Sequence, residues 1–374
     1  MKRTFKLTAG LLTVALSSSV LLAACGQQSD SEGGAGAPEK SYKFRLADNH
    51  APDYPTVIGD KKFAELVEQR TNGRIKIDVF PSGQLGDEKA VIEQVQLGAI
   101  EFTRVNTAPL AEFNSQFGVF SLPYIFDNDE HLWSFLNGDG QKLLDGMESS
   151  RMKGLAYYDS GSRFFYSRVP LASLDDLQGK KIRVQQNKIN MDLITALGAS
   201  PTPMAFGEVY SSLQTGVIDG AENNWPSIYS TRHYEVAKHV IVDSHQRQPE
   251  VLLMSKSAWD RLSESDRKII KEAAMESVAT QREAWKKMED EAIAKLKEAG
   301  VTITEVTDLK PWQDATRSVI DKHGAEFKEV LEQINKAKLE QAGSGSGQNA
   351  ASQNGANENG TGQNGASQNG ASQK

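Results

Sequence analysis

Between residues 41 and 341 the chain alternates short stretches of period-two hydrophobicity with longer stretches of helical spacing. Tyr42-Lys43-Phe44-Arg45-Leu46-Ala47 and Ile75-Lys76-Ile77-Asp78-Val79-Phe80 switch between apolar and polar positions and predict strands. Between them, Thr56 to Thr71 carries apolar residues at helical spacing and stops at Asn72-Gly73; Asp87 to Leu97 repeats the pattern and stops at Gly98. Ile100 to Val105 reads as a third strand. This order is that of an α/β sheet with crossover helices.

A second set begins near Arg163, with a strand at Lys181-Ile182-Arg183-Val184, a helix over Asn190 to Leu197 and another over Phe206 to Gln214. The apolar run Val251-Leu252-Leu253-Met254-Ser255 is suited to return to the first sheet. From Ser263, with Asp266 three residues on as a capping box, helical spacing continues to Ala299 and Gly300. Glu264 to Ala299 is 36 residues, roughly 54 Å at about 1.5 Å per residue, longer than a small domain is wide. Its apolar positions, Ile269, Ile270, Ala273, Ala274, Val278, Trp285, Met288, Ala292 and Leu296, call for burial along most of its length. The pattern therefore predicts an α/β, two-lobed fold with a ligand cleft between the lobes and a long helix bracing both. The expected lobes are 41–160 with 249–289, and 161–248 with 290–341.

The ends add a location. Lys2, Arg3 and Lys6 precede an apolar run from Leu7 to Leu22, then Leu22-Ala23-Ala24-Cys25-Gly26. That is a secretory signal over 1–24, and the small residues before Cys25 resemble a bacterial lipobox, in which the cysteine is acylated. Residues 25–40 read as a flexible tether, and 342–374, rich in Gln, Asn and Gly, as a disordered tail. The expected location is the outer face of a cell membrane of Gram-positive type, with a periplasmic lipoprotein as the alternative. Cys25 is the single cysteine, which rules out an intramolecular disulfide and a cysteine metal site. Losing the signal's three positive charges takes the net charge from −7 to −10, which disfavours nucleic acid as a partner.

Catalysis finds no constellation: no G-x-S-x-G elbow, no phosphate-binding glycine loop, no histidine pair at zinc spacing. His239 and His245 are expected in a loop, not around a metal. No enzyme activity, metal or cofactor is expected. Strand period puts Arg183 and Gln185 on one face of Lys181–Gln185 and Ile182 and Val184 on the other, with no carboxylate nearby in the strand. A guanidinium at a strand end offers a two-donor fork that matches a carboxylate, although spacing alone fits a solvated surface arginine as well. Arg163, in the aromatic run Arg163-Phe164-Phe165-Tyr166, is either a second anion contact or a hinge residue covering aromatic faces. Asn223 and Asn224, followed by Trp225-Pro226, suit either a hydroxyl-binding edge or a turn.

Three runs taken together carry a resemblance: Asp176-Leu177-Gln178-Gly179-Lys180-Lys181-Ile182-Arg183-Val184, Leu197 through Tyr210, and Leu213 through Asn223. With Pro81-Ser82-Gly83-Gln84-Leu85-Gly86 and Ser121-Leu122-Pro123-Tyr124, the chain from about Phe44 to Gly300 resembles the DctP-like substrate-binding subunits of tripartite ATP-independent periplasmic (TRAP) transporters. The resemblance implies a carboxylate clamp at Arg183, a second arginine at Arg163, a ligand-contacting amide at Asn223 and a pocket wall at Phe206. It also implies first-lobe contacts near Asn106 and Glu88. Asp48-Asn49-His50, Arg104-Val105-Asn106, Arg183-Val184-Gln185 and Glu222-Asn223-Asn224 are similar to the subgroup that takes hexuronates, with hydroxyl contacts expected from His50, Asn106, Gln185, Asn223 and Asn224. A C4-dicarboxylate is the alternative ligand, with Arg163 or Arg104 as the second cation; a sensory binding module is the alternative role. The expected partners are a small organic acid, the membrane permease subunits and the membrane itself through the lipid anchor, with the receptor a monomer.

Overall fold

The computed structural model describes residues 40–339. The expected signal, Cys25, the tether up to residue 39 and the tail lie outside the described residues. Among the described residues eleven strands form two sheets: β1 (Tyr42–Ala47), β2 (Ile75–Phe80), β3 (Phe102–Asn106), β4 (Met152–Tyr158) and β10 (Glu250–Ser255) in one, ordered β2-β1-β3-β10-β4. The other holds β5 (Arg163–Ser167), β6 (Lys181–Val184), β7 (Ser200–Pro203), β8 (Gly220–Asn223), β9 (His239–Gln246) and β11 (Thr302–Glu305), ordered β11-β9-β5-β8-β6-β7.

In the first sheet β1 runs parallel to β2 and β3, as crossover helices require, while β10 is antiparallel to β3 and β4. In the second, β6 is parallel to β7 and β8, and β5 is antiparallel to β8 and β9. The chain passes from one sheet to the other between Tyr158 and Arg163, and returns between Gln246 and Glu250. His239 and His245 lie on β9, not in a loop, because residues 239–246 form a strand paired with β5 on one side and β11 on the other.

The long helix spans Glu264–Glu298, 35 residues, with the Ser263 hydroxyl accepting from the Asp266 amide at 3.1 Å. The expected capping box is half formed: the Asp266 carboxylate turns away and pairs with Arg74 at 2.7 Å. The helix's N-terminal half packs Ile270, Ala273 and Ala274 into the core beside the first sheet; its C-terminal half packs Ala292 and Leu296 beside the second. It braces both lobes. Besides Asp266, two buried residues on this helix are polar. Ser277 bonds the Tyr158 hydroxyl (2.8 Å), and Gln281 bonds both the amide and carbonyl of Asp159 (2.8 and 2.9 Å), where the chain leaves the first sheet. Gly59 lets the helix Pro55–Arg70 approach closely, since a Cβ there would sit 2.8 Å from that of Gln281.

The helix at 328–339 departs from the expected lobe boundary. It lies against the first lobe, where His131 Nε2 meets the Ile334 carbonyl at 2.8 Å and Lys338 pairs with Asp127 at 2.8 Å. Its apolar face, Val330, Ile334 and Ala337, joins a core that includes residues of both sheets, such as Val105, Val251, Phe165 and Ile182. This helix therefore ties the end of the second half back to the first. No helix among the described residues is long and apolar enough to cross a membrane.

Candidate ligand-binding site

Strand direction decides where the cleft forms. The carboxyl ends of β3, β6 and β8 bring Asn106, Arg183 and Asn223 to one edge. Because β5 and β10 run antiparallel to their neighbours, their starts lie at that same edge: Phe164 is in register with Asn223, and Glu250 with Asn106. Crevices outside the carboxyl ends of strands are where α/β proteins bind ligands. The cleft there spans about 290 Å³, including space open to solvent, and a second such cavity of about 270 Å³ adjoins through Glu88, Arg183, Gln185 and Phe206.

Nine of the ten residues expected at the site line this cavity: Arg183, Arg163, Asn223, Phe206, Asn106, Glu88, His50, Gln185 and Asn224. Arg104 does not, and its expected role as a second cation for the ligand is corrected. Its guanidinium is fully buried behind the cavity, held by both oxygens of Asp48, by Glu250 at 2.7 Å, Glu88 at 3.4 Å and Asn49 at 2.6 Å. No donor of that fork is left for a ligand carboxylate. Asn49, Ser227 and Glu250 line the cavity without having been expected there. Glu250 opens β10 directly after Pro249, but no sequence signal links it to Arg104.

Four charged side chains line the cavity, and three are partnered. Arg163 pairs with Glu222 through Nε and through Nη2 (3.0 Å), and donates from Nη1 to Asn223 Oδ1 at 3.2 Å. Burial opposes Glu222's charge, but Arg163 and His245 outweigh it and bring the carboxyl down to about 2. His245 in turn sits between Asp243 (2.9 Å) and Glu222 (3.8 Å); burial works against its charge, yet those carboxylates raise its pKa to about 9. Glu250 is bonded to Arg104 and, at 2.9 Å, to the Asn106 amide. Glu88 shares Arg104 and accepts from the Asn106 amide nitrogen at 2.8 Å.

Arg183 differs. It is buried, and among the described residues no carboxylate lies within ion-pair distance of it. Its Nε and Nη2 donate to the Met204 carbonyl at 3.2 and 2.9 Å, and Phe206 sits beside it with the ring centroid 6.0 Å from the guanidinium carbon. Burial lowers its pKa, with only the more distant Glu222, Tyr166 and Glu88 opposing. The Met204 carbonyl occupies one edge of the guanidinium and leaves Nη1 and the second Nη2 hydrogen without a protein partner. A buried cation without a carboxylate partner is costly, and an anion reaching this edge would relieve that cost.

The amides at the cavity wall are held in place by bonds to neighbouring groups. Asn223 Oδ1 accepts from Arg163 and from the Asn224 amide, which leaves its NH2 as a donor. Asn106 and Gln185 bond each other across the cleft at 2.9 Å, and Gln185 also accepts from Asn190 at 3.1 Å. Asn224 caps the helix Trp225–Ser230 and donates to Ser160 at 3.0 Å, so its amide is spent on local structure at the cavity wall. His50 stacks on Tyr54 with ring centroids 3.8 Å apart and meets the edge of Phe206 from the opposite lobe. Burial, with the charge of Arg104, pushes its pKa down to about 3, so the ring is neutral, and its Nδ1 has no partner among the described residues. Tyr54 then reaches Ser227 on the other lobe at 2.9 Å. Together with Gln185–Asn106 and Asn187 to the Ala108 carbonyl (2.9 Å), these bonds hold the lobes in contact.

Two lobes, a brace and a polar cleft with one unpaired cation define a solute receptor for a small organic acid. The sequence profile described as "Bacterial extracellular solute-binding protein, family 7" (DctP) matches residues 46–326, and the chain belongs to that family. It is 36% identical over 276 residues to the C4-dicarboxylate-binding periplasmic protein DctP of Rhodobacter capsulatus, covering 72% of this chain and 83% of that protein. Among solved structures it is similar to a TRAP periplasmic solute binding protein from Bradyrhizobium, crystallised with galacturonate: 40% identity, TM-score 0.77, 79% of this chain and all of that one. A second, from Pseudomonas putida with bound D-glucuronate, is 37% identical with TM-score 0.77, covering 79% and 97%.

Proposed function

We propose that this protein is the extracytoplasmic receptor of a TRAP transporter, and that it captures a hexuronate such as glucuronate or galacturonate for delivery to membrane permease subunits. The observation that carries the ligand assignment is the charge balance of the cavity: one buried cation, Arg183, lacks a carboxylate, while Arg163 is committed to Glu222. That balance suits a ligand with one carboxylate and several hydroxyls, and the ligands named for the solved relatives are of this kind. The ligand carboxylate docks on Arg183; ring hydroxyls meet Asn223, His50 and the acceptors Glu88 and Gln185. Capture proceeds by closure of the two lobes, which a ligand drives only through contacts it makes better in the closed form. In this reading Arg183, Arg163, Asn223, Phe206, Asn106, Glu88, His50, Gln185 and Asn224 form the binding wall, and Cys25 carries the lipid that holds the receptor at the membrane.

Calorimetry and thermal shift against D-glucuronate, D-galacturonate, succinate, malate, sialic acid and neutral hexoses test this. A uronate at a hundred times its Kd is expected to add about 2.7 kcal/mol of stability. A response to the C4-dicarboxylates alone overturns the hexuronate assignment and leaves the dicarboxylate receptor in its place.

A further inference from the structure

Resting on the sugar-acid reading, we infer that Glu88 sets the ligand's charge: it is the specificity-determining residue that rejects acids carrying a second carboxylate, and it does so more strongly as pH rises. Glu88 opens the helix Glu88–Leu97, capped by Asp87, and its side chain is 14% exposed. It lines both adjoining cavities, each of which also holds Arg183. A ligand anchored on Arg183 therefore extends along a wall that includes this carboxyl.

The wall around Glu88 has too few cations for its acids. Arg104 is the guanidinium behind it, and that one group already serves Asp48 through two bonds and Glu250 through another; Glu88 takes the longest contact, 3.4 Å. Asp60 is a further buried acid with Asp48, Arg104 and Glu250 as its charged neighbours. His50, neutral, supplies no counter-charge. On its own segment Asp87 and Lys89 flank it, but both are exposed at the mouth of the adjoining cavity. Across the cleft the nearest cation is Arg183, which the first ligand carboxylate occupies. A second carboxylate would face Glu88 with no buried, unengaged cation to receive it, Lys89 being exposed, whereas a hydroxyl donates to the same oxygens.

The crowding also shows in Glu88's own titration. Burial raises its pKa; Arg104 partly offsets this, Glu250 and Asp48 add to it, and the result is about 7. The carboxyl is thus largely neutral in mildly acidic solution and charged in mildly alkaline solution, while sugar-acid carboxylates stay ionised throughout.

The test compares galacturonate with galactarate, which bears a carboxylate at each end, by competition calorimetry on the wild-type protein and on Glu88→Gln. Gln retains an acceptor for the Asn106 amide. Binding of galacturonate by the wild type checks the sugar-acid reading; its absence sinks that reading, separately from the role of Glu88. Given that binding, the preference for galacturonate over galactarate is expected to widen about fivefold or more between pH ~5.5 and ~8.0, as Glu88 ionises. In Glu88→Gln the ratio is expected to be independent of pH and about tenfold closer to unity at pH ~8.0. A wild-type ratio that stays flat with pH, or a variant ratio that still tracks pH like the wild type, overturns the inference. Should the variant not fold, the wild-type pH profile alone decides.

Discussion

Arg183 holds a charge that the rest of the protein leaves unmatched, and its two roles conflict. Burial of an unpaired guanidinium costs stability, while under the proposed function the same vacancy is what a ligand carboxylate would fill. Arg183→Ala is therefore expected to lose more than about a hundredfold in uronate affinity, consistent with losing a charge-assisted pair of about 3 kcal/mol or more. Arg183→Lys is expected to lose at least about tenfold, since an ammonium cannot present two donors in a fork. Ligand-free Arg183→Met should resist urea at least as well as wild type; a clear loss of ligand-free stability would show that Arg183 is a structural residue. Glu222 behaves oppositely. Glu222→Gln strands the buried Arg163 and is expected to cost about 3 kcal/mol in urea unfolding as well as weakening binding. The strand-face position of Arg183 was legible in the sequence, because alternation puts Ile182 and Val184 in the core, although spacing alone fits a solvated surface arginine as well and only the resemblance singled it out. Arg104 was not: its partners Asp48 and Glu250 lie 56 and 146 positions away, and a pairing of that range leaves no local trace.

The long helix is where local pattern and tertiary use part company. Its extent, its Ser263 cap and its apolar stripe could be read from spacing, and Ile270, Ala273, Ala274, Trp285, Ala292 and Leu296 are buried as expected. Ile269, Val278 and Met288 are only half-buried, and the places between are taken by Ser277 and Gln281. Those polar residues are buried because the chain crossing between sheets at Asp159 exposes a backbone amide and carbonyl that no strand partner satisfies; Gln281 bonds both. Gln281→Leu keeps the volume but removes both bonds, and is expected to cost about 2 kcal/mol in chemical unfolding. A loss below about 0.5 kcal/mol would mean that water replaces the side chain without penalty. The same crossing needs Gly161, whose φ of +57° suits glycine and whose added Cβ would lie 3.1 Å from Trp285. Hydrophobic periodicity carries no information about such backbone demands.

Across the whole molecule the buried titratable groups make stability depend on pH in a way the sequence could not reveal, because each shift comes from tertiary neighbours. His50 and His233 are held near pKa 3, chiefly by burial. Below their ordinary value of 6.5 the unfolded chain binds protons that the folded chain refuses, so stability falls as pH drops from 6.5 towards 3. Glu222, brought down to about 2, adds a loss of the same sign below its ordinary 4.5. His245 works from the other side: raised to about 9, its contribution is complete below 6.5 and is lost as pH climbs through 9. Glu88 and Glu289, each pushed up to about 7 by burial and neighbouring acids, weaken the fold as pH rises from 4.5 to 7, where the unfolded chain ionises first. Between 4.5 and 6.5 the two histidines and the two glutamates oppose one another. The ligand-free protein should accordingly show a broad plateau in Tm across that window, falling steeply on the acid side and more gently towards pH ~9. His245→Asn should flatten the alkaline fall while lowering the plateau, since it leaves Asp243 and Glu222 without the cation between them. A Tm that rises from pH ~6.5 to ~9 would contradict the charged state assigned to His245, and with it the account of how Glu222 stays ionised to hold Arg163 at the ligand wall.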